Sequence, residues 1–313
     1  MIAALISDRW LRVLPLPTPA KGETGWVDRR AFLIGAGALV LTGCAQTRPA
    51  AEVSASPSAT ASQSPIVIGV DTTMVGTVLG QLLAGSVGPG ASAQAMGADW
   101  FAILGGGTLV AAAVYGLTAW NELSESEDPT DNLVQDLADL VDPEITVMNP
   151  GSTDGGLVWM TSAQSGVGTL ENLAAWSNGK AAAIPSWGNE RADGLLGLNA
   201  IYGTAFTASV QDDPTARAKL VASGQAGVGA FRRTEYLGEV DLVELTDPDQ
   251  MSAADPVLLL VNTAFVNAAP QSVLKLTGVV DKLTTDDLVA IQRQIAQGST
   301  RAAQSWLTAN GLA

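Results

Sequence analysis

From Ile66 onward the chain predicts an α/β fold with parallel sheets flanked by helices. Short apolar runs alternate with longer segments of helical periodicity, and that order packs helices against sheet faces. Apolar residues make up 47% of the 313 residues, enough for a sizeable core. Aromatics are only 5%, so that core is built mostly of Ala, Val and Leu. At this length one large domain or two ordinary ones fit.

Ile66-Val67-Ile68-Gly69-Val70 is a buried strand that opens the folded body, and 73–83 fits a helix. A strand follows over 108–115. Residues 131–141 form a helix, with Pro129 and Thr130 at its start and leucines at 133, 137 and 140. Strands are expected at 144–148 and 156–161, and Thr169 opens a helix containing Leu170, Leu173 and Trp176. A strand at 180–184 precedes a helix over 212–223 that stops at Gly224. Further strands fall at 227–231, 241–245 and 257–262. Three helices close the chain, at 270–281, 285–297 and 300–309. Thr284 with Asp287 has the spacing of a capping box, and Gly311 is a C-terminal stop. Residues 101–120 carry no charge and are long enough to cross a bilayer. The three glycines at 105–107 favour a helix, a turn and a strand in the core instead. No internal repeat is present.

The composition excludes several chemistries. Histidine is absent, so no Ser-His-Asp or Cys-His site exists, and the commonest metal ligand is missing. No Gly-x-Ser-x-Gly motif occurs, and the expectation is a protein that is not an enzyme, with no cofactor and no metal. The acidic pairs Asp212-Asp213 and Asp286-Asp287 sit at helix starts, where carboxylates favour the dipole. One cysteine permits no internal disulfide. The net charge is −15, which argues against a nucleic-acid partner and is explained by the solubility of an exported protein.

The N-terminal 43 residues read as an export signal. Arg29-Arg30-Ala31-Phe32-Leu33 resembles a twin-arginine motif ahead of an uncharged run, 31–43, of the length of a signal peptide's apolar region. Leu41-Thr42-Gly43-Cys44 resembles a lipobox, in which Cys44 becomes the diacylated first residue of the mature protein. Two acyl chains give stable anchoring where one is marginal. Residues 44–65 are rich in Ala, Ser and Pro and read as a disordered tether.

Several motifs of the body then occur in a recognisable order. The chain ends with Leu283-Thr284-Thr285-Asp286-Asp287-Leu288, a helix, Ala303-Gln304-Ser305-Trp306-Leu307 and Asn310-Gly311-Leu312. Upstream stand Tyr115-Gly116-Leu117-Thr118, Arg191-Ala192-Asp193-Gly194-Leu195-Leu196-Gly197-Leu198 and Ile201-Tyr202-Gly203. Between them lie Ala222-Ser223-Gly224-Gln225, Gly227-Val228-Gly229 and Asp241-Leu242-Val243-Glu244-Leu245. Together these resemble the glycine betaine/osmoprotectant substrate-binding family of ABC transporters.

The resemblance implies a type II periplasmic-binding fold, two α/β lobes joined by two crossovers. Lobe one is expected at 66–154 plus 258–313 and lobe two at 155–257. It also implies a solute held in the interlobe cleft, hinge closure, and delivery to permease and ATPase subunits by a monomer on the outer face of the cytoplasmic membrane. The family holds a quaternary ammonium among tyrosine rings and a carboxylate on an arginine. Carried over, Tyr115 matches a cage tyrosine, Thr118 a nearby threonine and Arg191 the carboxylate-binding arginine. The remaining positions depart from the pattern. The family's lysine falls at Asp71, two tyrosines fall near Gly155 and Asp255, another aromatic falls at or beside Phe231 and Arg232, and an acidic residue is Val114. With three tyrosines in all, Trp187 and Trp159 are the candidate substitutes, because Trp is the strongest cation–π partner. Trp187 lies in the loop just before Arg191, whereas Trp159, on a strand, also fits a core position, as do Tyr202 and Trp306. Arg191 can alternatively pair with Glu190 or Asp193. Three readings stay open: a compatible-solute receptor, the same fold with another small-molecule ligand, and a lipoprotein that has lost solute binding.

Overall fold

The computed structural model describes residues 65–124, 132–189 and 191–313. The signal segment with Cys44, the tether up to residue 64, and the expected helix start at Pro129 and Thr130 lie outside the described residues.

The first sheet assembles from strands β1 (Ile66–Val70), β2 (Ala91–Ala95), β3 (Ala111–Tyr115) and β4 (Ile145–Val147), with helices α1 (Met74–Val87), α2 (Trp100–Gly105), α3 (Gly116–Leu123) and α4 (Leu133–Leu140) between them. The chain then builds a second sheet from β5 (Leu157–Ser162), β6 (Ala181–Ile184), β7 (Thr207–Val210), β8 (Val228–Arg232) and β9 (Leu242–Glu244), with α5 (Leu195–Ile201) and α6 (Pro214–Ala222) inserted. Finally β10 (Val257–Asn262) returns to the first sheet, followed by α7 (Thr263–Ala268), α8 (Pro270–Lys282), α9 (Thr285–Ala296) and α10 (Ala302–Ala309). The strand orders are β2-β1-β3-β10-β4 and β7-β6-β8-β5-β9. We refer to the two sheets and their helices as lobe one and lobe two.

Neither sheet is purely parallel, as the alternation alone had suggested. β10 is antiparallel to β3 and β4, and β5 is antiparallel to β8 and β9. These are the two strands by which the chain enters a lobe from the other one. Such a strand starts at the interlobe end, where its neighbours finish, and must run against them. The two crossovers lie side by side: Gly155 N–H donates to the Asp255 carbonyl (2.8 Å) and Val257 N–H to that of Thr153 (3.0 Å).

Both entering strands are covered on both faces. Along β10, Val257, Leu259 and Val261 pack toward α1 and the C-terminal helices, while Leu258 and Leu260 pack toward Trp100, Trp120 and Leu137. That is why β10 reads as a continuous apolar run rather than an alternating one. In β5, Leu157 and Trp159 face one core and Val158 the opposite one.

The uncharged stretch 101–120 resolves into the end of α2, a turn with Gly107 at φ 76°, β3, and most of α3. Among the described residues no helix is long and apolar enough to cross a membrane. The C-terminal capping box is formed: Thr284 accepts from Asp287 N–H, and the Asp287 carboxylate accepts from Thr284 N–H. Asp213 caps α6, and Asp286 and Asp287 occupy the first turn of α9. The segment expected to form a helix from Thr169 is instead a 3-10 turn over Leu170–Leu173. The carbonyl of Thr246 takes the Leu170 N–H (3.0 Å) and pins the segment to the end of β9.

One buried arginine fixes the end of β8. Arg217 on α6 donates to the carbonyls of Ala230 (2.8 Å), Gln211 (2.7 Å) and Asp212 (3.1 Å), and to the Glu235 carboxylate (2.6 Å). The same carboxylate oxygen accepts the backbone N–H of Arg232 at 3.1 Å. Burial pushes the Glu235 carboxyl above its ordinary value, against the pull of Arg217. Removing the arginine leaves a buried carboxylate without its counter-charge, which typically costs about 3–5 kcal/mol. Arg217→Met should therefore lower unfolding free energy by about that amount in urea titration, more than Arg233→Met, whose pair with Glu244 is exposed.

Candidate functional site

At the interlobe end of the sheets, groups from both lobes and both crossovers converge on the guanidinium of Arg232. Along β8, Val228 and Ala230 belong to the core under Trp159, and Arg232 shares their face of the strand. It sits at the strand's last position, so its side chain extends past that core toward lobe one. There its Nη1 donates to Asp255 Oδ2 (2.7 Å) and to the Gly155 carbonyl (3.1 Å), and its Nη2 to Thr118 Oγ1 (2.7 Å). The guanidinium carbon lies 4.0 Å from the ring centre of Tyr115 and 4.6 Å from that of Trp187. Arg232 is 9% exposed and Asp255 1%, so the pair is desolvated.

A second arginine completes the cluster. Arg191 makes a bidentate pair with Asp193, both contacts at 2.7 Å, and its Nη1 reaches Thr118 Oγ1 at 3.3 Å. It also lies over Trp187, 5.2 Å from the ring centre. Thr118 Oγ1 accepts from both arginines and donates to Asp255 Oδ2 at 3.2 Å, which uses its full hydrogen-bonding capacity. Burial works against the Arg191 charge, but the Asp193 and Asp255 carboxylates outweigh it and hold its pKa above the ordinary value.

Tyr115 ends β3 and reaches across the interface. Its hydroxyl bonds Thr234 Oγ1 at 2.5 Å, and Gln292 of α9 donates to the Thr234 carbonyl at 2.6 Å. Its ring packs closely against Gly155: a Cβ there would stand 2.1 Å from a ring carbon. Burial pushes the Tyr115 phenol well above its usual pKa, with Arg232 and Thr234 opposing.

Of the residues selected from sequence, Tyr115, Thr118, Arg191 and Trp187 are brought together. Trp187, 37% exposed, forms the outer wall. Trp159 is not part of the group. It is 1% exposed in the lobe-two core, and its indole N–H reaches the Asp193 carbonyl at 3.4 Å, so it supports the loop that holds Arg191. Arg191 pairs with Asp193 inside the cluster, not at the surface, and Glu190 lies outside the described residues. Tyr202 packs in the lobe-two core with its hydroxyl on Asp247, and Trp306 packs against the lobe-one core. Asp71 caps the start of α1 through Thr73. Arg232 and Asp255 were the residues not selected. The available signal was joint: one of the family's aromatic positions falls at or beside an arginine and another near an aspartate. Among the described residues no group of three or more acidic or thiol side chains is arranged to hold a metal ion.

Solved structures share this architecture. A glycine betaine/carnitine/choline ABC transporter protein superposes with TM-score 0.65 at 16% identity, covering 79% of this chain and 99% of that one. YehZ from Escherichia coli in its apo form gives 0.61 at 15%, covering 80% and 100%. Lactococcal OpuAC, closed and complexed with glycine betaine, gives 0.58 at 15%, covering 79% and 96%. No family model and no curated protein matches the chain. The likeness establishes the fold, two α/β lobes of the periplasmic-binding-protein kind.

Two outcomes follow from this packing. Gly155→Ala should displace the Tyr115 ring and destabilise the protein by about 1–3 kcal/mol, measured by denaturant unfolding. Alkali should also destabilise it. The folded phenol ionises above the unfolded value of about 10, so the contribution of Tyr115 is complete below that pH and is lost as pH rises through the folded pKa. Tyr115→Phe should flatten the decline in melting temperature above about pH 10.

Proposed function

We propose that this chain is the solute-binding subunit of an ABC importer, taking a compatible solute such as glycine betaine or a related quaternary amine into its interlobe cleft. One observation carries the reading. Two lobes joined by paired crossovers direct aromatic faces, arginines and carboxylates to a single point at their interface, the place where such a fold closes on a ligand. A quaternary ammonium has a diffuse charge and no N–H to donate, so π-faces suit it, and Tyr115 and Trp187 supply two. Arg191, beside Thr118, is the natural partner for a ligand carboxylate. The known ligands and transport systems of similarly folded proteins support this reading.

In this reading Cys44 is lipidated after removal of the twin-arginine-like signal, and 44–65 tethers the body to the outer face of the cytoplasmic membrane. The monomer passes its solute to permease and ATPase subunits. A second reading is favoured by Arg232: because a protein cation already lies against both aromatic rings, the cleft would serve a different small molecule or none, as in a surface lipoprotein without transport.

A thermal-shift screen of the purified full chain with glycine betaine, proline betaine, carnitine, choline, ectoine and proline separates the two. A ligand at a hundred times its Kd stabilises by about 2.7 kcal/mol, a shift of several degrees. A shift with a betaine and none with proline supports the compatible-solute receptor. A cooperatively melting protein that shifts with none supports the second reading. Where a betaine binds, Arg191→Ala and Tyr115→Ala should each weaken it about tenfold or more in calorimetry while leaving a cooperative melt.

A further inference from the structure

We infer that Arg232 is a tethered pseudo-ligand: its guanidinium occupies an organic-cation site at the lobe interface and holds the lobes closed without a solute. The inference rests on the receptor reading only for which outside molecule would compete for that site.

The surroundings of Arg232 are those expected of a bound cation. Two aromatic faces flank it at 4.0 and 4.6 Å. A carboxylate that is 1% exposed neutralises it at 2.7 Å. A backbone carbonyl and a hydroxyl accept two further in-plane hydrogens, at 3.1 and 2.7 Å. Strand alternation sets the side to which Arg232 points, and its partners there are buried groups of the other lobe and the crossovers. Arg233, the next residue, turns to exposed carboxylates at Asp154 and Glu244, as a solvated arginine does.

The contacts also join separate parts of the molecule. Arg232 belongs to β8 of lobe two. Tyr115 and Thr118 belong to lobe one, and Gly155 and Asp255 to the two crossovers. A diffusing cation binding here would draw the same four groups onto lobe two. Arg232 supplies that cation from within the chain, and its backbone is fixed by Glu235, itself held by Arg217. The site is compact, because the position that would carry a side chain opposite Tyr115 is Gly155. Truncating Arg232 therefore leaves a lined space of guanidinium size with a negative charge at its base, suited to a guanidinium or a small methylated ammonium.

The test compares the unaltered full chain with Arg232→Ala, titrating tetramethylammonium and methylguanidinium by calorimetry and following the melting temperature. Arg232→Ala should bind at least one of these cations tenfold or more tightly than the unaltered chain does. Methylguanidinium should recover most of the melting temperature the variant loses, while leaving the unaltered chain unmoved. Small-angle scattering should show the variant expanded without a cation and contracted with one. Because the bare Asp255 carboxylate can itself unfold the variant, Arg232→Ala/Asp255→Asn removes both charges and should keep the gain through the aromatic faces. A folded variant that binds neither cation better than the unaltered chain overturns the pseudo-ligand. The two readings fail separately. Betaine binding by the unaltered chain as tight as by Arg232→Ala keeps the receptor and removes the pseudo-ligand. No solute binding by the unaltered chain, with a gain in the variant, keeps the pseudo-ligand and removes the receptor.

Discussion

The ion pair between Arg232 and Asp255 is the contact around which the interface is organised. Both charges are withdrawn from water, and such a pair gains little net stability over an apolar filling of the same shape, because desolvation offsets the attraction. What it supplies is definition. A guanidinium accepts partners only in its own plane and stacks only on its faces, so one arginine fixes the rotamer of Tyr115, the position of Thr118 and the approach of Trp187 together. Separating the lobes exposes the pair or strands one half of it. The closed arrangement is thus favoured over any partly open one in which Asp255 stays buried.

Strand direction makes this convergence possible. Each lobe receives one strand from the other, and each such strand runs against its neighbours. The carboxyl ends of β1, β3, β6 and β8 therefore meet the starts of β5 and β10 at the same end of the molecule. Side chains following β3 and β6, and the last residue of β8, project into the interface, as the open end of a twisted α/β sheet generally provides. The crossovers carry the remaining parts: Gly155 leaves room for a ring, and Asp255 supplies a charge while its backbone ties the crossovers together. Two residues, one from each crossover, thus do work that loops of either lobe alone cannot.

Much of the fold was legible in the sequence, and the parts that were not share a cause. β10 stands out as six apolar residues in a row because helices cover both its faces, and α9 is announced by a capping box that forms as written. The edge strands β2 and β7 carry no such signal, since their residues are mostly exposed and form no apolar run. The helix expected from Thr169 is cut short by a hydrogen bond to Thr246, a partner far along the chain. The site divides the same way. Tyr115, Thr118, Trp187 and Arg191 follow from local motifs, because each keeps a recognisable neighbourhood. Arg232 and Asp255 each read singly as a lost aromatic. Their meaning lies in the pair, and only the folded chain brings residues 23 apart to 2.7 Å.

An internal cation changes how any ligand must be judged here. A tethered guanidinium competes at a fixed effective concentration, and it does so without the loss of translational freedom that a free ligand incurs. A solute for the aromatic faces binds only the fraction of molecules in which Arg232 has left, so its apparent Kd is its intrinsic value divided by that fraction. Were that fraction one in a hundred, a micromolar site would behave as one of about 0.1 mM. A weak response to betaines is therefore compatible with a well-formed cation site. A ligand bringing its own carboxylate has an additional route, since it can take Arg232 and Arg191 as partners in place of Asp255 and Asp193. Such an exchange keeps both arginines at the interface but leaves Asp255, 1% exposed, without its counter-charge, so it requires that carboxylate to open to water. A bare organic cation has no such route and must displace Arg232 from Asp255 outright.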